Sequence, residues 1–310
     1  MRAEAKRSFT GLLFALGAYG LWGVSPVYWK WVRAVPPDEM LAWRAFWAFA
    51  ITLAFGALTG RAREARAVLR RPRLLLALAL TGGLLAVNWF VFIWAVQTDR
   101  ITATSLGYYM SPLVHVLLGV LVLGERLVRA QAFALAIATA GVVYLTVEYG
   151  ELPWIALLLP TSFGVYGLVR KIAPVQPLVG FGVEMLLLLP LALAYLAWLL
   201  VSGRSVMLDA SAGLHALVAA SSLVTATPLI WFVYGARRLP LTTLGMFQYV
   251  APSLSLVLAV WLYGEPFTRV QVITFLCVWV ALSLYSIDVF ARVRSESWME
   301  PGERGRHPHE

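Results

Sequence analysis

Two charged residues stand inside long apolar runs: Arg44 in WRAFWAF and Glu184 in FGVEMLL. Charge in such a setting is expensive and defaults to a functional hypothesis. The pair has opposite signs and lies 140 positions apart. A carboxyl in an apolar site is a candidate proton carrier. The two could therefore bind, gate or carry protons. Alternatively each is a structural charge, paired locally, paired with the other, or snorkelling to an interface.

A second set of residues is polar or aromatic and lies deep in apolar runs. It comprises Trp22, Asn88, Trp94, Tyr108, Tyr109, Tyr166, Gln248 and Tyr249. Asn and Gln at such depth need a partner, either a neighbouring helix or a ligand. An apolar pocket with a few convergent polar groups is the usual form of a small-molecule site, so these residues together with Arg44 and Glu184 make up the expected substrate pathway. Such a pocket would prefer amphipathic or aromatic substrates to multiply charged ones. Trp29, Trp31, Trp43 and Trp298 are expected in interfacial belts, and Asp38 and Glu39 at the aqueous N-terminal end of their helix. His115 reads as a structural residue.

The elements that must position these side chains follow from composition. The chain is 60% hydrophobic, only 13% charged, and has a mean hydropathy of +0.77. A soluble domain carries about 25% charged residues. Runs near the length needed to cross a bilayer recur throughout, at 9–31, 38–59, 74–96, 102–123, 130–148, 153–170, 178–201, 213–236, 240–262 and 268–290. Backbone groups have no water to pair with in lipid, so runs this long must be helices. The expectation is an all-α integral membrane protein with ten transmembrane helices. Residues 60–73 and the tail 291–310 are read as the only extended polar segments, the tail as disordered. The single cysteine, Cys277, excludes an intramolecular disulfide and any thiolate cluster.

Basic residues set the orientation. They cluster at 2–7, 61–73, 126–129, 170–171, 237–238 and beyond 290, whereas the intervening connections keep only Lys30, Arg33, Arg100, Arg204 and Arg269. Both termini are thus expected in the cytoplasm. The net charge of +9 is distributed as a topology signal and not as a nucleic-acid surface.

The chain also repeats itself. LGYYMSPLVHVLLGVLVLGERLVRAQ (106–131) returns as LGMFQYVAPSLSLVLAVWLYGEPFTRVQ (244–271). Pro112, Gly124, Glu125, Arg129 and Gln131 recur as Pro252, Gly264, Glu265, Arg269 and Gln271. Five spans separate equivalent points, so the second copy runs upside down. The expectation is two inverted five-helix repeats, 1–148 and 149–290, an architecture recurrent among secondary transporters.

The runs WGVSPVYWKWVRAVPPDEMLAWRAFWA, NWFVFIWAV, SLGYYMSPLVHVLLGVLVLGER, YGLVRK and LTTLGMFQYVAPSL with YGE resemble the RarD subgroup of the EamA-type transporters, within the drug/metabolite transporter superfamily. The resemblance covers nearly all of residues 8–290. It implies two inverted repeats of five helices, a bacterial inner (plasma) membrane location, and export of small metabolites or drugs; the subgroup's name as a chloramphenicol-sensitivity protein suggests drugs. No HExxH, GxGxxG, GxxxxGK[ST] or GxSxG motif is present, so no enzyme, cofactor, metal site or ATP-driven pump is expected. The expected partners are a small-molecule substrate and the lipid bilayer, with no nucleic acid, and the sequence leaves a homodimer open. A membrane sensor or scaffold without transport is the alternative reading.

Overall fold

In a chain this apolar each backbone N–H and C=O must be satisfied within its own segment, which selects helices. The computed structural model describes residues 2–123, 129–236 and 247–298, and among them no strand occurs. The helices are α1 (Arg2–Trp31), α2 (Pro37–Leu58), α3 (Ala62–Leu69), α4 (Pro72–Gln97), α5 (Ile101–Leu123), α6 (Arg129–Tyr149), α7 (Trp154–Ile172), α8 (Pro177–Val201), α9 (Ala212–Ala236), α10 (Val250–Val257) and α11 (Arg269–Trp298). A π-helical turn, Leu258–Leu262, continues α10. Proline stands in the first turn of α2, α4 and α8, where its missing N–H costs nothing.

Six of these helices are long and apolar enough to cross a membrane, and three further stretches are apolar but shorter. Leu58, Leu76, Leu121, Val147, Leu191 and Trp261 all lie exposed on the surface. A bundle this greasy on its outside fits lipid and not water.

Three expectations need correction. Residues 60–73 are not an extended loop, because α3 forms there and turns Val68 inward onto Leu74, Leu78, Val179 and Val183. The last helix does not stop at 290 but runs to Trp298. Trp29 is no belt residue: it is buried among Val32, Val35, Met40 and Ile93. Gly124, Glu125 and the residues 240–246 lie outside the described residues, as do the side chains of Pro112, His115 and Trp298.

Packing between the helices of residues 1–148 and those of residues 149–290 follows a reciprocal pattern. α1 packs on α9 while α4 packs on α7; α1 packs on α10 while α5 packs on α7; α2 packs on α9 while α4 packs on α8. Helices at the repeat offset also meet directly, α2 with α8, α5 with α10 and α6 with α11. Small residues allow the close crossings. A Cβ at Gly23 would come within 2.8 Å of Leu254, and one at Gly141 within 2.8 Å of Cys277. Across these contacts Ser255 Oγ donates to the Gly23 carbonyl (3.0 Å) and Thr274 Oγ1 to that of Gly141 (3.2 Å).

Candidate functional site

Arg44 sits on the second turn of α2, only 6% exposed. Its guanidinium stacks 3.8 Å from the centroid of Trp89 on α4 and 4.9 Å from Trp29 on α1. Tyr28 and Tyr108 lie within electrostatic reach. Tyr28 is itself anchored, its hydroxyl donating to the Leu217 carbonyl of α9 at 2.7 Å. Nε and Nη1 of Arg44 are buried without a hydrogen-bond partner among the described residues, and no carboxylate pairs with it.

Glu184 has a different setting. It is fully buried on α8, where Thr81 Oγ1 of α4 donates to its Oε1 at 2.7 Å. Arg170 Nε of α7 lies 3.5 Å from the same oxygen. Tyr166, one turn before Arg170, faces both groups. One glycine makes the room. A Cβ at Gly180, one turn before Glu184 on the same face, would meet Arg170 Nη1 at 1.9 Å. A Cβ at Gly82 would be in ordinary contact with the Glu184 backbone, from 3.5 Å. The pairing of Arg44 with Glu184 that their offset suggested therefore does not form. Each charge took the partner its own helix crossing supplied.

A third cluster joins Tyr109 and Tyr249, whose rings stack with centroids 6.3 Å apart. Their helices are held by a 2.5 Å hydrogen bond between the hydroxyls of Tyr109 and Ser253. Gln248 is half-buried beside Tyr249.

The other expected pathway residues pack elsewhere. Asn88 is buried and donates to the Leu159 carbonyl (2.9 Å) and to Ser162 Oγ (3.0 Å), joining α4 to α7. Trp22 packs with Tyr19 and Phe232, and Trp94 near the end of α4 contacts Trp154 and Arg100.

One end of the bundle is latched by polar contacts between connections. Glu265 accepts from Ile101 N (2.7 Å), Thr102 N (2.8 Å) and Thr102 Oγ1 (2.8 Å), capping the start of α5. Glu39, expected in water, is 1% exposed and accepts from Ser205 Oγ (2.5 Å) and Val206 N (3.1 Å). It is buried because the 202–211 connection folds over it and satisfies its oxygens. Lys30 pairs with Asp99. At the opposite end a groove of about 680 Å³ runs between Arg70, Arg71, Arg73, Val169 and Ala173, and neither Arg44 nor Glu184 lines it.

Sequence reading missed Arg170, Thr81 and Tyr28 and placed Trp29 in an interfacial belt. Arg170 had been assigned to the cytoplasmic flank, yet its side chain is 12% exposed. The available signal was Gly180, one turn from Glu184, where a missing side chain leaves space for a partner.

The sequence profile of the EamA-like transporter family matches residues 9–147. An uncharacterized transporter of Vibrio cholerae is 42% identical over 93% of this chain and 95% of its own. The protein RarD of Salmonella typhi is 41% identical over 94% of this chain and 100% of its own. A solved crystal structure, 22% identical, superposes with a TM-score of 0.56 over 89% of this chain and 96% of that one, and so shares the fold.

Proposed function

The chain belongs to the EamA-like transporter family, among relatives of RarD, and from that premise we propose that it exports small metabolites or drugs across a bacterial inner membrane by alternating access. Its helices form ten spans in two inverted repeats with both termini in the cytoplasm, so the latched end faces outward. The observation that carries this reading is the reciprocal packing of the two halves around α2 and α8, each of which holds one buried charge. Secondary transporters built from inverted repeats place their substrate at such an interface and rock one half against the other. In this state Glu265, Glu39 and Lys30 close the outward side. Opening it breaks those contacts and brings the Arg44 layer into contact with water.

The test is flux in sealed proteoliposomes, with chloramphenicol and a panel of small aromatic metabolites loaded on one side. Transport of at least one compound, abolished in Arg44→Leu, is the expected result. Vesicles that move none of the panel would favour a sensor or scaffold. Reporter fusions at 310 and within 60–73 should read cytoplasmic and one near Arg204 external. A cytoplasmic signal at 204 would remove the inverted topology.

A further inference from the structure

Arg44 is a buried cation whose surroundings leave its charge incompletely compensated. Stacking on Trp89 and Trp29 contributes about 0.5–2 kcal/mol per contact, less than the several kcal/mol that an ion loses on leaving water. An aromatic face accepts no conventional hydrogen bond, so Arg44 Nε and Nη1 still need acceptors. Those donors find no acceptor among the described residues. Among the described residues Glu184 lies against Arg170 and Thr81, Glu39 accepts from Ser205, Glu265 caps the start of α5 and Asp99 pairs with Lys30, and none of them pairs with Arg44.

We propose that Arg44 is the anchor for the carboxylate of an aromatic monoanion, held against Trp29, Trp89 and Tyr108. This deepens the transport reading and rests on it for the route by which the ligand reaches the site. A fork of parallel donors matches a carboxylate, and the indole and phenol walls suit an aromatic body. The same inventory argues against a zwitterion. No acidic side chain among the described residues pairs with Arg44, so an amino acid would bring its ammonium group up beside a guanidinium. The ligand is therefore an ammonium-free aromatic carboxylate.

The test is equilibrium dialysis of the purified full chain in detergent with radiolabelled benzoate, phenylacetate and indole-3-acetate. At least one should saturate a single site. Arg44→Gln should weaken it about tenfold or more, as expected for loss of a charge-assisted hydrogen bond. Arg204→Gln should leave it unchanged, since Arg204 is exposed over Trp198 and remote in role. Benzylamine should not compete, and phenylalanine should compete at least tenfold more weakly than the carboxylate. The idea fails if none of the three carboxylates saturates, if Arg44→Gln binds as the parent does, or if chloride at equal concentration competes as well as the carboxylate. Should Arg44→Gln not fold, the parent protein decides alone: equal binding of benzoate and benzyl alcohol overturns the anion anchor. Carboxylate binding without flux would refute transport and leave the anchor standing, whereas flux of chloramphenicol with no carboxylate binding would do the reverse.

Discussion

Arg44 and Glu184 lie 140 positions apart in the chain, and their surroundings differ in kind. Glu184 is fully buried and engaged, with a cation 3.5 Å away and a hydroxyl donating at 2.7 Å. Arg44 is nearly as buried and lies over the rings of Trp89 and Trp29, with no carboxylate partner among the described residues. Glu184 has a cationic neighbour although its Oε2 has no hydrogen bond among the described residues, whereas Arg44 has no carboxylate among them. The difference teaches that isolated charge in an apolar run marks a position but does not decide what the side chain meets. The neighbours come from other helices, whose residues diverged: Arg170 and Gly180 face one charge, Trp29 and Trp89 the other.

The comparison makes its sharpest demand on Arg170. Arg170→Leu leaves Glu184 buried without its cation and should cost about 3–5 kcal/mol, whereas removing both partners should restore most of the loss. Thermal melts of the two variants in detergent check this, and a double variant no better than Arg170→Leu would show that the pair is not a unit. Arg44→Leu should behave oppositely. It deletes an uncompensated charge, so stability should hold or rise while flux is lost. A stability loss of the size expected for Arg170→Leu would erase the contrast between the two layers.

A smaller effect is expected at the latch. Glu265→Ala removes the acceptor for two backbone N–H groups and one hydroxyl at the start of α5, costing about 1–2 kcal/mol. A cysteine introduced at position 108 should then react faster with an aqueous thiol reagent, and an unchanged rate would mean that the latch does not guard the Arg44 layer. Thr81→Val should cost about 1 kcal/mol through the lost hydrogen bond to Glu184, read again as a melting shift. The smallest effect is a coupling. Because Arg44 and Glu184 share no bond, the double variant Arg44→Leu with Glu184→Gln should be additive within about 0.5 kcal/mol. A larger coupling energy would join the two layers into one network.

The sequence by itself determined that the chain is helical and membrane-borne, where nearly all of its long helices run, and that Arg44 and Glu184 are exceptional. The reason is that apolar length and isolated charge are one-dimensional quantities, legible without neighbours. The repeat and the family resemblance were legible in the same way, through residues such as Pro252, Gly264 and Glu265 in a single register. What only the tertiary structure decided is partnership. Asn88 became a helix-to-helix tie because Leu159 and Ser162 lie across from it, and Trp29 became a wall of the Arg44 site instead of a belt residue. Glu39 left the water because a connection more than 160 residues away folds over it. Which group satisfies a buried charge depends on helix crossings and on small residues such as Gly180 that leave space for it, and a crossing is a property of two segments that no single stretch of sequence contains.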